Sequence, residues 1–304
     1  MLKMYHRHAQ GGESPAFWEE FGSDGSFEER LRFCEVDPLR SLFLQHARPG
    51  TRLLEGGCGQ GQYVAYYTAR GVDVVGLDFA RDWLRRLRER DGGLKLCAGD
   101  VGALPFRSES FDVYYSGGVV EHFEGGAEPA LREARRVLRP GGVLLISVPY
   151  FSPLRQALSL FRRHDWKRVS GPQPNEGNAH ALRFYQYCYT RPEFTRTLRA
   201  AGLRVLATQG YAILWGLYDV SLLQRVMTAR ERRRASVRLA NGAHAPSSTR
   251  VTAGARNRNS RPTLLKRLVV AEDTRVPLGG LFVRLGRWAC ANMMMYVCVR
   301  AENP

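Results

Sequence analysis

The fold is decided by one stretch of sequence, Leu53-Leu54-Glu55-Gly56-Gly57-Cys58-Gly59-Gln60-Gly61. It leads from an apolar strand into a helical pattern, with glycines at 57, 59 and 61. Glycine tolerates positive φ and lets a ligand approach the backbone, and the start of a helix offers free N–H groups to an anion. The stretch therefore predicts a ligand-binding turn between a strand and the helix that follows it.

The glycine spacing separates two kinds of nucleoside cofactor. A dinucleotide site requires G-x-G-x-x-G, whose third glycine would fall at the position of Gln62. The pattern here is G-x-G-x-G, and Glu55 precedes the loop. This favours S-adenosylmethionine over NAD and argues against an NAD-type oxidoreductase.

Apolar runs alternate with helical patterns between residues 50 and 150, which is typical of a parallel sheet with crossover helices. The predicted strands are Arg52–Glu55, Val72–Asp78, Leu94–Ala98, Phe111–Ser116 and Gly142–Pro149. The predicted helices are Gln60–Arg70, Ala80–Arg90 and Ala127–Leu138, and the last is ended by the breaker Pro140-Gly141-Gly142.

Further elements are predicted on either side of this core. Before it, Phe27–Ala47 is predicted to be helical with a break near Pro38 and to pack on the edge of the sheet. After it, a helix begins at Thr190, with Glu193 at the capping-box position. The remaining predictions are strands at Leu203–Thr208 and Met293–Arg300 and helices at 211–228, 263–271 and 278–291.

Acidic residues follow the second and third predicted strands. Asp78 can accept hydrogen bonds from both hydroxyls of a ribose. Asp100 can accept from an adenine amino group while the N–H of Val101 donates to a ring nitrogen. The fourth strand ends at Ser116 and Gly117, where sulfonium and acceptor should meet. Open α/β sheets bind ligands at the carboxyl ends of their strands, so we expect one site there.

In order, the motifs LLEGGCGQG, VVGLDFA, AGDVGALPF, FDVYYSGGVVEHF and LREARRVLRPGGVLLISVP resemble the class I S-adenosylmethionine-dependent methyltransferases, within them the type 11/type 25 kind. The resemblance implies an α/β, Rossmann-like, seven-stranded, mostly parallel sheet in three αβα layers, with an antiparallel last strand and helical cap insertions. It implies S-adenosyl-L-methionine as cofactor, bound by Glu55, Gly56, Gly57, Cys58, Gly59, Gly61, Asp78, Phe79, Asp100, Val101, Ser116 and Gly117.

The chain is expected to divide into four parts. They are an N-terminal helical segment at 1–49, a methyltransferase core at 50–210 with an insertion at 151–189, a helical excursion at 211–290 with a flexible basic linker at 229–261, and a last strand with the C-terminus at 291–304. The two excursions are predicted to build the acceptor pocket, because the core supplies only the cofactor half.

His122 is the candidate catalytic base, because a histidine near neutrality can take the proton of a hydroxyl acceptor. The alternative is that it caps a loop or bonds Glu121. Further candidates for facing the acceptor are His180, Tyr185 and Tyr187.

Charge and aromatic patterning leave two alternatives open. The net charge is +16, and residues 229–261 contribute nine Arg and one Glu. That stretch, with Arg230–Arg234, is either a solvated linker or an attachment to nucleic acid or anionic lipid. Tyr211, Trp215 and Tyr218 are predicted to share a helix face, which would pack in the core, cover the acceptor or rest on a membrane surface.

The six cysteines form no C-x-x-C pair or zinc-type cluster, so no metal site is predicted and a reducing compartment is expected. The sequence lacks a signal-peptide core, and its apolar runs fall short of the roughly 18–20 residues that span a bilayer. These features predict a cytoplasmic protein without a transmembrane segment, with peripheral membrane contact as an option.

The sequence therefore predicts a methyltransferase acting on oxygen of a small-molecule, sugar or lipid-linked acceptor. One alternative is a nucleic-acid methyltransferase, but the turn Tyr115-Ser116-Gly117-Gly118 lacks the prolines usual in enzymes that methylate base amines, and no RNA-binding module is recognisable. The other alternative is a non-catalytic protein that binds the cofactor.

Overall fold

The computed structural model describes residues 1–6, 18, 26–160, 183–217, 268, 270–277 and 279–301. The strands are β1 (Leu2–His6), β2 (Arg52–Gly56), β3 (Asp73–Asp78), β4 (Lys95–Ala98), β5 (Phe111–Gly117), β6 (Leu138–Pro149), β7 (Arg183–Cys188), β8 (Leu203–Tyr211) and β9 (Met293–Arg300). The helices are α1 (Phe27–Cys34), α2 (Arg40–His46), α3 (Gln62–Thr68), α4 (Arg81–Arg90), α5 (Glu128–Val137), α6 (Pro153–Leu160), α7 (Arg191–Ala200), α8 (Ile213–Leu217) and α9 (Gly279–Ala289). A 3₁₀ turn at Val120–His122 follows β5.

Seven strands form the main sheet in the order β4-β3-β2-β5-β6-β9-β8. The pairs from β4 to β6 are parallel, and β9 is antiparallel to both of its neighbours. This confirms the predicted fold class, including the antiparallel last strand beside β8. From β2, the chain adds β3 and β4 on one side of the sheet and then β5 and β6 on the other. This change of side leaves a crevice at the carboxyl ends of β2 and β5, where open α/β sheets bind ligands.

Two apolar cores cover the two faces of this sheet, because successive residues of a strand point to opposite sides. Leu54 packs with α5 and α7 on one face, whereas Leu53 packs with α2, α3 and α4 on the other. Both faces are therefore buried, as the continuous apolar runs of the central strands predict. The arrangement has the predicted three αβα layers.

The N-terminal segment is helical as predicted, but α2 packs on a face of the sheet, against its central strands, and not on its edge. Ser26 and Glu29 form a capping box at the start of α1, and the break between α1 and α2 spans Pro38. In α2, the fully buried ring of Phe43 stacks on Tyr63 and Tyr67, with ring centroids 5.3 and 5.0 Å apart, and meets Tyr115 edge-on at 4.7 Å. Phe43 thus fixes α2 to α3 and to β5. At the other end of the fold, Thr190 and Glu193 form the predicted capping box of α7.

Two element boundaries differ from the predictions. The breaker Pro140-Gly141-Gly142 lies within β6, because Phe111 pairs with Leu138 before the register shifts and Val113 pairs with Val143. The extra residues form an irregularity in the strand.

A helix was predicted to begin at residue 211, but this residue belongs to strand β8. Tyr211 is the last residue of β8, pairs with Met293 of β9 and donates its hydroxyl hydrogen bond to Ser147 Oγ at 2.9 Å. Pairing with a strand more than 80 positions away overrides the local helical pattern. The prediction that Tyr211 shares a helix face with Trp215 is therefore wrong.

A second, two-stranded sheet was not anticipated. In it β1 pairs antiparallel with β7, so the first residues of the chain form a strand within the expected N-terminal helical segment. In α6, the buried Arg155 donates to the carbonyls of Tyr150 and Asn292 at 3.0 and 3.1 Å, which ties the insertion to the end of β6 and the start of β9.

Several predictions fall outside the described residues. They concern the basic linker 229–261, the helix predicted beyond 217, most of the helix at 263–271, and His180. Within the described part of the chain, every helix is too short or too polar to cross a bilayer.

Replacing Phe43 with alanine should lower the free energy of unfolding by about 3–5 kcal/mol, because it leaves a cavity among three aromatic rings. Urea unfolding at constant pH measures this loss. Phe33→Ala on α1 is the matched control, since that ring is 46 % exposed and its loss should cost far less. Equal losses for the two variants would contradict the described packing of α2.

Candidate functional site

A cavity of about 610 Å³ opens at the carboxyl ends of β2, β3, β4 and β5. This volume lies within the roughly 300–1,000 Å³ usual for small-molecule sites. Its walls include Glu55 at the end of β2, Asp78 at the end of β3 and Asp100 just past β4. The three carboxylates predicted from the sequence thus share one cavity.

The glycine loop is fixed to the neighbouring strand by backbone hydrogen bonds. The N–H groups of Gly57 and Cys58 donate to the carbonyl of Leu77 at 2.8 and 2.9 Å. The Asp78 carboxylate accepts from the N–H of Gly59 at 2.7 Å and of Ala80 at 2.8 Å. Asp78 is therefore a structural residue of the loop as well as a wall of the cavity.

Two glycines of the loop are required for different reasons. Gly57 has a φ of +77°, and a Cβ there would overlap the side chain of Val119. Gly59 has a φ of +49°, and a Cβ there would meet no heavy atom within 4 Å. The space over Gly59 is therefore open to a ligand that lies against the backbone.

Glu55 is a buried carboxyl with an unused hydrogen-bonding atom. Burial raises its pKa well above the ordinary value, and the nearby charge of Asp78 raises it further, although a backbone hydrogen bond from Val64 opposes this. Among the described residues, no group bonds Glu55 Oε2. A buried polar atom without a partner is costly, so a ligand that donates to this oxygen would be favoured.

The structure brings most of the predicted cofactor residues together. Those that line the cavity are Glu55, Gly57, Cys58, Gly59, Asp78, Phe79, Asp100, Val101 and Gly117. Gly56, Gly61 and Ser116 do not line it. Residues alternate along β5, so Tyr115 and Gly117 reach the cavity, whereas the Ser116 side chain is buried away from it.

The wall residues that the sequence reasoning missed include the large side chains of Trp18, Arg30, Tyr63, Trp83 and Tyr115. The period of two along β5, anchored on Gly117, could have indicated Tyr115. Arg30 and Trp18 precede the core in sequence, and only tertiary packing brings them to the cavity. Trp18 lines it, and its carbonyl accepts a hydrogen bond from Trp83 Nε1 at 3.2 Å.

His122 lines the same cavity and is held in a defined orientation. Its Nδ1 lies 2.7 Å from the carbonyl oxygen of Tyr185 in β7. A carbonyl only accepts, so Nδ1 carries a proton and Nε2 of the neutral ring has the lone pair. The Trp18 ring packs edge-on against the imidazole at 4.6 Å. Of the other acceptor-side candidates, Tyr185 and Tyr187 do not line this cavity.

Glu121 is a second buried carboxyl beside His122. It is 2 % exposed, its Oε1 lies 3.8 Å from His122 Nε2, and no described residue bonds its Oε2. Burial raises the pKa of Glu121 to about 8. Near neutrality this carboxyl is therefore largely protonated, and a positive charge on the imidazole would favour its ionised form.

A seven-stranded sheet of this order, with a glycine turn and acids at the carboxyl ends of its first strands, is the architecture of a class I S-adenosylmethionine-dependent methyltransferase. Residues 54–146, from β2 through most of β6, match the family model described as Methyltransferase domain. This part of the chain is a class I S-adenosylmethionine-dependent methyltransferase domain. For this domain, the predicted family, enzyme class and cofactor are confirmed.

Relatives with several acceptors match this domain. The chain is 41 % identical over 133 residues to a malonyl-[acyl-carrier protein] O-methyltransferase of Erwinia pyrifoliae, covering 43 % of this chain and 48 % of the relative. It is 38 % identical over 138 residues to a probable tRNA methyltransferase 9B of Homo sapiens, covering 43 % and 29 %. The matches thus span about half or less of the length of these two curated relatives.

One solved structure shares the overall fold. It is a complex between the Haloferax volcanii Trm112 methyltransferase activator and a methyltransferase, with a TM-score of 0.51 and 16 % identity over 94 % of this chain and 98 % of that one. At this identity the likeness extends to the fold alone.

Glu121→Gln should change how stability depends on pH. The pKa of Glu121 is raised in the folded state from 4.5 to about 8, so its stabilising contribution is complete below pH 4.5 and is lost as pH rises through 8. Glutamine does not titrate, so the variant should gain stability relative to the original protein by up to about 3 kcal/mol between pH 5 and pH 8. Urea unfolding at both pH values measures this, with Glu124→Gln as control. A pH-independent difference would show that the carboxyl is ionised in the folded protein.

Proposed function

We propose that this protein transfers the methyl group of S-adenosylmethionine to an oxygen of a small-molecule, sugar or lipid-linked acceptor. The observation that carries the proposal is the convergence of Glu55, Asp78 and Asp100, from three neighbouring strands, on one cavity with the glycine loop. If the three carboxylates faced different cavities, they could not bind one ligand.

The cavity fits the cofactor in two respects. The open space over Gly59 accommodates a ligand against the backbone, and the unpartnered Glu55 Oε2 can accept from an ammonium group. Asp78 would accept from ribose hydroxyls, and Asp100 with Val101 would hold the adenine. Arg30, which the sequence reasoning missed, would face the cofactor carboxylate from α1.

The bound cofactor supplies a methyl group on a sulfonium, ready for in-line displacement. The protein then has two tasks, to position the acceptor and to receive its proton. Positioning can contribute roughly 7–11 kcal/mol when the geometry is good. His122 Nε2 would receive the proton, because the Tyr185 carbonyl keeps the other ring nitrogen protonated.

Oxygen and a carrier-linked acceptor are supported by the name of the Erwinia pyrifoliae relative, a malonyl-[acyl-carrier protein] O-methyltransferase. The human relative named as a tRNA methyltransferase supports nucleic acid as the second candidate acceptor. The net charge of +16 is compatible with that second candidate. The third candidate is a non-catalytic protein that binds the cofactor and does not transfer its methyl group.

The three candidates separate in one labelling experiment. The protein is incubated with S-adenosylmethionine radiolabelled on the methyl group and with fractionated cell extract. Label in lipid, glycan or small-molecule fractions that resists nuclease supports the proposal. Release of that label by mild alkali identifies a methyl ester, and its retention identifies a methyl ether on a hydroxyl oxygen. Nuclease-sensitive label supports nucleic acid, and cofactor binding without transfer in any fraction supports the non-catalytic alternative.

Asp78→Asn should weaken S-adenosylmethionine binding about 10- to 100-fold, because it removes the charge from two hydrogen bonds to the ribose. Isothermal titration calorimetry measures the dissociation constant. Asp112→Asn is the matched control, since Asp112 lies at the opposite end of the sheet, paired with Arg139. Unchanged affinity in a folded Asp78→Asn variant would remove Asp78 from the cofactor site.

His122→Asn should lower turnover about 10²- to 10⁴-fold and leave cofactor affinity unchanged. Asparagine keeps an N–H donor for the Tyr185 carbonyl but has no basic nitrogen in place of Nε2. Turnover is measured with the fraction labelled above as acceptor, across pH 6–9. Undiminished turnover would show that His122 is not the base.

A further inference from the structure

Helix α9 has its large apolar side chains on the outside of the molecule. Leu281, Phe282, Leu285 and Trp288 are 63 %, 74 %, 53 % and 64 % exposed. Leu281 and Leu285 are four positions apart, and Leu285 and Trp288 are three apart, so these three share one face of the helix. Phe282, three positions before Leu285, borders the same face. Soluble proteins seldom leave four large apolar side chains together in water, and such a patch is typical of an interaction surface.

The side of α9 that packs on the protein carries small residues. A Cβ at Gly280 would overlap the carbonyl of Thr274, and one at Gly286 would press on Ile213 of α8. Val283 is the buried apolar residue on this side. The helix is therefore close to its support, and rotating it to bury the large residues would drive them into backbone.

Polar contacts fix this orientation. Arg287 donates to the buried Glu272 at 3.1 Å, and the same carboxylate accepts from the N–H of Ile213 at 2.8 Å. A single buried carboxyl thus joins α9 to the start of α8. The close packing of α9 and the contacts of Glu272 therefore fix its apolar face toward the outside.

Positive charge accompanies this face. Arg284 is exposed beside it and forms no ion pair with any described residue. The nearby acids are already matched, because Glu272 pairs with Arg287 and Asp273 with Arg275. The sequence between α8 and α9 adds the nine Arg and one Glu of residues 229–261.

The C-terminal end of α9 lies near the carboxyl edge of the parallel strands, where the cavity opens. Shortly after α9 the chain enters β9 at Met293, which pairs with Pro149, the last residue of β6. Since β9 is antiparallel, its first residue lies at the carboxyl edge of the parallel strands. Met293 is close to Gly118, a wall residue of the cavity.

We propose that α9 docks the protein on the surface of an anionic lipid bilayer. Leu281, Phe282, Leu285 and Trp288 would enter the boundary between headgroups and acyl chains, with Arg284 at the level of the phosphates. A protein partner would satisfy the apolar side chains. Arg284, which has no ion pair among the described residues, and the basic sequence before α9 favour a surface of diffuse negative charge. The inference stands independently of the proposed acceptor.

The test is vesicle flotation with the full chain. Vesicles contain either phosphatidylcholine alone or three parts phosphatidylcholine to one part phosphatidylglycerol. We expect binding to the anionic vesicles, weakened by salt. The double variant Phe282→Ser/Trp288→Ser should reduce the partition coefficient at least about tenfold, because each side chain loses its apolar burial. Phe33→Ser/Leu44→Ser is the matched control, since both residues are exposed apolar side chains on α1 and α2.

Cofactor affinity by calorimetry and unchanged far-ultraviolet circular dichroism verify that each variant is folded. Three results would overturn the proposal: no binding to anionic vesicles, binding that the α9 variant leaves intact, or a dimer in solution that the α9 variant dissociates. The last would assign the face to a second copy of the chain. Loss of vesicle binding with methyl transfer to a water-soluble acceptor retained would support docking and leave the proposed function standing.

Discussion

The structure depends on the attachment of the glycine loop to the end of β3. Two loop N–H groups share the carbonyl of Leu77, and a third donates to the Asp78 carboxylate. These bonds hold a turn that leaves β2 with positive φ angles and would otherwise leave polar backbone groups unsatisfied. The same contacts bring the ends of β2 and β3 together, so the loop and Asp78 form one wall of the cavity.

The attachment has a consequence for the energetics of the site. Asp78 bonds backbone groups while also facing the cavity, and Glu55 behind the loop keeps one oxygen without a described partner. Burying a second carboxyl beside Asp78 raises the pKa of Glu55 and costs stability. A positively charged ligand group beside Glu55 would offset that cost.

Segments outside the core support the cavity from behind its walls. The Tyr185 carbonyl that orients His122 belongs to β7, and β7 is paired with β1 from the first residues of the chain. On the far side, β9 inserts between β6 and β8 and carries α9 to the same edge of the sheet. The cavity walls themselves come from residues 55–123 together with Trp18 and Arg30, and no described residue of the predicted excursions at 151–189 and 211–290 lines this cavity.

The sequence by itself determined the Rossmann-like sheet, its strand bounds to within a few residues, and the carboxylates that share the cavity. These features follow from local pattern, because each strand, turn and strand-end acid lies within a few residues of the next. Tertiary structure alone decided that Tyr211 ends a strand, that Ser116 points away from the cavity, that Arg30 and Trp18 reach it, and that α9 faces outward. Those outcomes depend on pairings and contacts between residues far apart in the chain, and periodicity within a short window carries no information about them.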